Sequence, residues 1–295
     1  MTKRVAFEGI PGAYSDLACR EALPNYETVS CPTVGEAVAA VHEGRADLAM
    51  IPVENTVAGR VAVVHFLLRK SNLYIVGEHY QRVEHHLLAL PDASLADIKK
   101  VRSHVHALPQ CKQWLEKHNI EPVVRPDTAG SAEEVAKLGD KSIAAIASKL
   151  AGELYGLKSL AADIADVRGN TTRCLILSPT PQRPKVSDGP CITTLLYRVR
   201  NVPAALYKTL GGFATNGVNI TRLESYLTDG GFNIAQFWID VEGHPDEKPL
   251  KLALEELSFF AEEVEILGVY PASNFRLKAE TAPCACGPKR GTTQT

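Results

Sequence analysis

The 295 residues carry 32 Lys and Arg against 34 Asp and Glu, a formal net charge of −2 with a pI near 6.5. That balance argues against bulk binding to nucleic acid or to an anionic membrane, either of which leaves a basic surplus. Hydrophobic residues at 45% and charged residues at 22% permit a sizeable core, and the length suggests about two domains.

From the N-terminus, Glu8 ends the first apolar stretch too early for a signal-peptide core, and no run approaches the roughly 18 apolar residues that span a bilayer. The cysteines at 19, 31, 111, 174, 191, 284 and 286 contain no C-x-x-C pair. They read as free thiols of a reducing compartment, so a soluble cytoplasmic protein is expected. Short apolar runs at Val5–Phe7, Leu48–Pro52, Tyr74–Val76, Leu87–Leu90, Val123–Val124, Ile143–Ala147 and Cys174–Leu177 read as strands. Between them Thr33-x-x-Glu36 and Ser131-x-x-Glu134 have the capping-box spacing that opens helices. Such alternation predicts α/β layers on a mainly parallel sheet, with ligands at the carboxyl ends of the strands.

Ser178 to Pro190, SPTPQRPKVSDGP, is proline-rich and aperiodic, the composition of a linker. Beyond it the order changes. A strand at Ile192–Val199 precedes a helix opened by Pro203 and stopped by Gly217. Strands at Val218–Leu227 and Phe232–Val241 meet at a hairpin signal, Asp229-Gly230-Gly231. A helix through Leu250, Leu254 and Leu257 and a strand at Val264–Tyr270 complete a βαββαβ, ferredoxin-like order. After Pro271 the chain ends in CACGPKRGTTQT, a stretch expected to be disordered, with Cys284 and Cys286 as incidental thiols.

Four segments carry chemistry. Gly9 to Ser15, GIPGAYS, follows a strand and precedes a helix, where backbone N–H groups can approach an anion; a tight β-to-α turn is the competing account. Asp47 to Gly59, DLAMIPVENTVAG, brings Glu54, Asn55 and Thr56 to a strand end, as ligands for a substrate or as caps. In Ser103 to Cys111, SHVHALPQC, Ser103 is placed to cap a helix or bond a ligand oxygen. His104 and His106 would share a face if extended, a metal clip that lacks a third ligand nearby. In Asn170 to Cys174, NTTRC, Arg173 offers a planar fork for a carboxylate and Thr172 a hydroxyl, unless they are a surface strand start. His85 and His86 point to opposite faces of a strand and form no paired site. Gln236, Phe237 and Trp238 read as ordinary sheet residues. The inventory holds hydroxyls, amides, a carboxylate and an arginine, with no Ser-His-Asp order, metal cage or cofactor fingerprint. It suits a small polyanion whose reaction needs hydrogen-bond help rather than a strong nucleophile.

Taken in order and spacing, GIPGAYSDLA, DLAMIPVENTVAG, SHVHALPQC, DTAGSAEEVA, IAAIASKLAGELYGL and NTTRCLIL resemble the prephenate dehydratase family. PAALYKTLGGFATNGVNITRLESYL resembles the family's C-terminal ACT regulatory domain. The resemblance covers residues 1 to about 272 and is to the monofunctional form. It implies a catalytic domain at 1–178 like a type II periplasmic binding protein, with lobes at 1–77 plus 158–178 and at 78–157. A linker at 179–190, an ACT domain at 191–272 and a tail at 273–295 follow. The implied reaction is decarboxylating dehydration of prephenate to phenylpyruvate without a cofactor. Thr172 would bond the leaving hydroxyl and Arg173 orient a substrate carboxylate. Glu54, Asn55, Thr56, Ser103 and Gln110 would place and polarise the substrate, with the backbone of Gly12, Ala13, Tyr14 and Ser15 holding an anion.

The resemblance also implies phenylalanine as a feedback effector between ACT domains of a homodimer or homotetramer. Its candidate residues are Ala205, Leu206, Asn216, Val218, Asn219, Ile220, Glu224 and Ser225. Departures from the family pattern are Cys174 for Phe after Thr-Arg, Val105-His106 for Pro-Gln, Ala204 for Gly before Ala-Leu, and Tyr226-Leu227 for Arg-Pro. Arogenate dehydratase and a non-catalytic aromatic-acid sensor are the alternatives; the intact Thr172-Arg173 pair argues against the sensor.

Overall fold

A computed structural model describes residues 2–200, 202–227 and 235–276; the turn at Asp229-Gly230-Gly231 and the segment holding Cys284 and Cys286 lie outside them. The chain begins β1 (Arg4–Glu8), α1 (Tyr14–Ala22), β2 (Glu27–Cys31), α2 (Val34–His42), β3 (Leu48–Asn55), a short β4 (Gly59–Arg60), α3 (Ala62–Ser71) and β5 (Tyr74–Arg82). Thr33 opens α2 as its spacing predicts, its hydroxyl accepting from the Glu36 N–H.

A second lobe follows: β6 (His86–Ala89), β7 (Lys100–His104), α4 (Lys112–Lys117), β8 (Glu121–Arg125), α5 (Thr128–Leu138), β9 (Ile143–Ala147), α6 (Lys149–Tyr155) and β10 (Lys158–Ala161). The chain then returns to the first lobe as β11 (Thr171–Ser178). Helix α5 starts earlier than the Ser131-x-x-Glu134 spacing predicts. Asp127 caps it by accepting from the Gly130 N–H, and Ser131, already inside, donates to the Asp127 carbonyl.

First-lobe strands lie in the order β5-β11-β3-β1-β2. Strand β1 is parallel to β2 and β3, but β11 re-enters from the other lobe antiparallel to both β3 and β5, so this sheet is mixed rather than mainly parallel. The second sheet runs β10-β6-β9-β7-β8, also mixed. The expected lobe boundaries shift accordingly. Residues 78–82 complete β5 in the first sheet, and 158–161 pair with β6 in the second.

Residues 179–190 are largely exposed and hold one 3₁₀ turn, Val186–Asp188. After them come β12 (Cys191–Val199), α7 (Ala205–Thr215), β13 (Ile220–Leu227), β14 (Ala235–Glu242), α8 (Lys248–Phe260) and β15 (Ala261–Pro271), the βαββαβ order. Pro203 precedes the helix rather than starting it; Ala204, at φ 59°, is the cap. Gly217 takes the left-handed stop, φ 69°. Helices α7 and α8 cover one face of the antiparallel sheet β13-β14-β12-β15, burying Leu195, Tyr197, Phe213, Phe237, Leu250 and Leu257. Residues 273–276, expected to belong to a disordered tail, pack on the first lobe. Phe275 stacks on Tyr80 at 4.5 Å and Arg276 pairs with Glu78 at 2.7 Å.

Strand β15 lies parallel to β5 through Gly268 and Ile75, which joins the first-lobe and C-terminal strands into one 10-stranded sheet. A Cβ at Gly268 would stand 2.1 Å from the Ile75 carbonyl oxygen, so the contact needs a residue without one.

The two-residue period of the first-lobe strands sorts side chains to two cores. Val5, Phe7, Met50 and Cys174 meet α1. Ala6, Ile51, Leu175 and Leu177 meet α2, α3 and, from the C-terminal sheet, Leu196, Trp238 and Tyr270. Thr172 therefore faces with Cys174, toward the second lobe, and Arg173 faces the C-terminal module.

Candidate active site

A cavity of about 340 Å³ opens between the lobes, lined from β3, the β3–α3 loop, β5, β11 and the start of α1 on one side. His85, His104, His106, Gln110 and Thr128 line the other. Its polar wall is one hydrogen-bonded chain. The Asn55 side-chain oxygen accepts from the Val57 and Ala58 N–H groups at 2.9 and 2.8 Å, which folds the loop after β3. Its amide nitrogen donates to Asn170 Oδ1 at 2.6 Å and to Thr172 Oγ1 at 2.9 Å. Asn170 Nδ2 donates in turn to Gln110 Oε1 at 2.7 Å, and the same oxygen lies 3.0 Å from His85 Nε2.

Gln110 Oε1 accepts from both, which puts the His85 proton on Nε2; the Tyr14 hydroxyl lies 2.9 Å from Nδ1 and shares its one proton with the Glu84 carbonyl 2.7 Å away. Burial lowers the His85 pKa against the opposing Gln110 bond, which keeps the ring neutral. Burial also raises the Tyr14 phenol well above its ordinary range. With its oxygen already accepting from Asn55, Thr172 keeps its own O–H free to donate into the cavity.

Of the residues expected here, Asn55, Gln110, Thr172, Tyr14 and Ser15 line the cavity. Gly12 is not among the lining residues, and its N–H is not free to hold an anion. Its N–H is taken by Asp16 Oδ2 at 2.9 Å and its carbonyl by the Ser148 hydroxyl at 2.6 Å, while φ 90° and contact with Ala151 exclude a side chain. Ala13 caps α1 by backbone alone and packs inward. The first-turn N–H groups of Tyr14 and Ser15 are those a helix leaves without partners.

Four expected residues point elsewhere. Ser103 is fully buried and donates to the Ile146 carbonyl at 2.6 Å, joining β7 to β9. Thr56 accepts from the Thr171 N–H at 3.0 Å and pins the β11 entry to the β3–β4 turn. Arg173 turns its back on the cavity. Its guanidinium meets Glu54 at 3.0 Å, Glu78 at 2.9 Å, Asp240 at 2.6 Å and the Tyr270 hydroxyl at 3.0 Å. Glu54 is engaged there too. Adjacent strand residues face opposite ways, so Thr172 and Arg173 cannot serve one pocket.

The ion network continues through Arg222, 3.6 Å from Glu54 and 2.7 Å from Glu224, and through Arg276 on Glu78. Burial works against charge at both Asp240 and Arg173, but each stabilises the other. Asp240 is held below the usual carboxylate range and Arg173 well above its own.

Residue-by-residue reading missed His85, Asn170 and Thr128 as wall residues. Asn170 had a signal, since it immediately precedes the strand carrying Thr172; His85 had none, since its partners arrive from three distant segments. No Lys, Arg, Asp or Glu is among the lining residues, leaving histidines and the N-termini of α1 and α5 to meet a negative charge. The rings of His104 and His106 lie 5.1 Å apart, and among the described residues no group of three metal-ligating side chains converges. Cys174, also in the wall, has its thiol pushed up to about 12 by burial, which removes it as a nucleophile.

In the C-terminal module the expected effector residues divide. Ala205 and Leu206 begin α7, and Asn216 donates to Glu256 at 2.8 Å. Val218 and Ile220 join the helix-side core, the Asn219 carbonyl accepts from the Glu242 N–H, and Ser225 is exposed. Glu224 stands apart from them on the opposite sheet face, against Arg222, Tyr226 and His65.

A protein-family model described as prephenate dehydratase matches residues 5–182. The bifunctional N-acyl-homoserine lactone acylase/prephenate dehydratase of Komagataeibacter europaeus is 53% identical over 274 residues, 93% of this chain and 98% of that protein. Arogenate dehydratase/prephenate dehydratase 1, chloroplastic, of Arabidopsis thaliana is 37% identical, covering 91% of this chain and 72% of its own length. The crystal structure of prephenate dehydratase from Arthrobacter aurescens in complex with L-Phe matches with a TM-score of 0.83 at 30% identity, covering 92% of this chain and 90% of that one.

Proposed function

The chain belongs to the prephenate dehydratase family and is a lyase of phenylalanine biosynthesis; from that premise we propose that the interlobe cavity holds prephenate and converts it to phenylpyruvate. The observation that carries the reading is the Thr172 hydroxyl, oriented by Asn55 with its proton free to donate. In the reaction the bond to the ring carboxylate breaks. Its electron pair enters the ring, and the C4 hydroxyl departs as water with one added proton. Aromatisation supplies the driving force, so the protein's task is to hold the dianion and stabilise the departing oxygen.

Thr172 hydrogen-bonds to that oxygen, and the added proton comes from water, since a neutral alcohol is too weak an acid to supply it. The N-termini of α1 and α5, with His104 and His106, receive the side-chain carboxylate, and the ring carboxylate stays without an ion-pair partner, free to leave as CO2. The wall offers no acidic side chain for an ammonium group, which favours prephenate over arogenate.

Residues 191–272 are read as an ACT domain, with phenylalanine as effector and a homodimer or homotetramer as the assembly. The likeness to a relative solved with L-Phe supports this reading.

The test is turnover of prephenate by the purified chain, followed as phenylpyruvate against a no-protein control. Thr172→Val, nearly isosteric, should lower kcat by about 100-fold or more with KM little changed. Full activity in that variant would refute the assignment. The 53% identity to a bifunctional relative supports a second reading, hydrolysis of N-acyl-homoserine lactones. Release of free homoserine lactone would establish it. The wall pairs His85 with Gln110 and with a Tyr14 phenol whose pKa burial raises, rather than with a serine, threonine or cysteine nucleophile, which leaves dehydration the better supported chemistry.

A further inference from the structure

A second cavity, about 210 Å³, lies between α3 and the face of the C-terminal sheet that its own helices leave open. It is smaller than the roughly 300 Å³ at which drug-sized pockets begin, a size for a single-ring compound. Its wall is aromatic. Trp238 and Tyr226 come from the sheet, and Phe66, 62% exposed, stands at the rim. His65, buried, lies between the rings, 4.4 Å from Tyr226 and 4.9 Å from Trp238.

Among the described residues neither ring nitrogen of His65 has a hydrogen-bond partner; Nε2 is 3.2 Å from Glu224 but out of line. Burial and the Arg222 charge push its pKa down to about 4, so the ring is neutral and presents one N–H and one bare nitrogen. Leaving such groups unpaired in a wall is costly. On the other side Arg69 and Lys70, in the last turn of α3, line the same cavity and make no ion pair among the described residues. Glu224, the acid nearest His65, is already neutralised by Arg222 and hydrogen-bonded by Tyr226.

We propose that this cavity is a second ligand site, taking a small aromatic carboxylate with its ring against Trp238 and Tyr226 and its carboxylate on Arg69 and Lys70. Only the choice of ligand class for testing rests on the dehydratase reading. A guanidinium and an ammonium at the mouth of an aromatic slot match an aromatic acid in shape and sign, and His65 can complete the polar contacts. The site also touches the catalytic lobe. Helix α3 continues directly from the loop whose Ala58 and Val61 line the interlobe cavity and whose fold Asn55 holds. An occupant wedged between α3 and the C-terminal sheet thus bears on the active site through one short helix. It does so from a place distinct from Ala205 to Ser225.

The chain has two tryptophans, so Trp114→Phe leaves Trp238 as the only indole reporter. Titration of that variant with L-phenylalanine and with 3-phenylpropanoate should give a saturable change in emission for at least one acid, and 3-phenylpropanol should give none. Adding Arg69→Ala with Lys70→Ala should weaken binding about 10-fold or more, the loss of a charge-assisted contact. Prephenate turnover without added acid should stay unchanged, and Asn219→Ala should bind as before.

Equal binding of the alcohol, binding unaffected by the paired alanines, binding abolished by Asn219→Ala, or no response to either acid would each overturn the proposal. A chain that binds the acid at this site and shows no prephenate turnover would support the site and refute the dehydratase reading instead.

Discussion

Thr172 and Arg173 are neighbours with opposite duties. The hydroxyl is aligned from the cleft side by Asn55, whose four hydrogen bonds join the loop after β3, Asn170 and Thr172 itself. The guanidinium is held from behind, 2% exposed, by carboxylates of two different modules. An arginine this buried is tolerable only while its partners remain. Asp240→Ala also strips acceptors from Thr194 and Trp238. It should lower unfolding free energy by about 3–5 kcal/mol, read from urea denaturation. A change under about 1 kcal/mol would mean that the network is solvated and structurally idle.

Strand β11 is the element on which the molecule turns. It carries the chain back from the second lobe, lies between β3 and β5, and presents one face to the cleft and the other to the C-terminal module. Its neighbour β5 in turn receives β15, where Gly268 meets Ile75 backbone to side. A methyl group there would overlap the Ile75 carbonyl oxygen, which cannot yield without breaking the sheet join. Gly268→Ala should therefore destabilise the chain by about 1–3 kcal/mol or more and loosen the module. Faster amide exchange in both β15 and β5 would register that loosening. Unaltered exchange in both strands would show that the join is dispensable.

Across the whole molecule, burial holds several histidines neutral. It lowers the pKa of His85 and His86, and it takes His65, with Arg222 beside it, down to about 4. Unfolded histidine titrates near about 6.5, so below that pH the unfolded chain binds protons that the fold refuses. Stability is fully present above that pH. It falls as pH drops toward the folded values, by at most about 1.4 kcal/mol per pH unit for each such histidine. Thermal melts at pH 7.5 and 5.5 should show a clear drop in Tm; a flat Tm over that interval would contradict the neutral assignment. Below the ordinary carboxylate range the depressed Asp240 adds to the loss, again in the direction of acid.

Much was legible in the sequence because it is written locally. The Thr33 cap, the Gly217 stop, the strand at Ile143–Ala147 and the βαββαβ order follow from spacing and turn chemistry within a few residues. The family was legible for the same reason, since each motif is a short contiguous run, and the Asn55 and Thr172 segments singled out there both reach the interlobe cavity. The partners across space were not. That Asn170, Gln110 and His85 complete the wall around Thr172, that Arg173 belongs to an interdomain ion network, and that Trp238 faces α3 across a cavity depend on contacts between residues tens to more than a hundred positions apart. Strand period dictates that neighbours diverge, but which face meets the interlobe cavity and which meets the second module is decided only when the sheets pack.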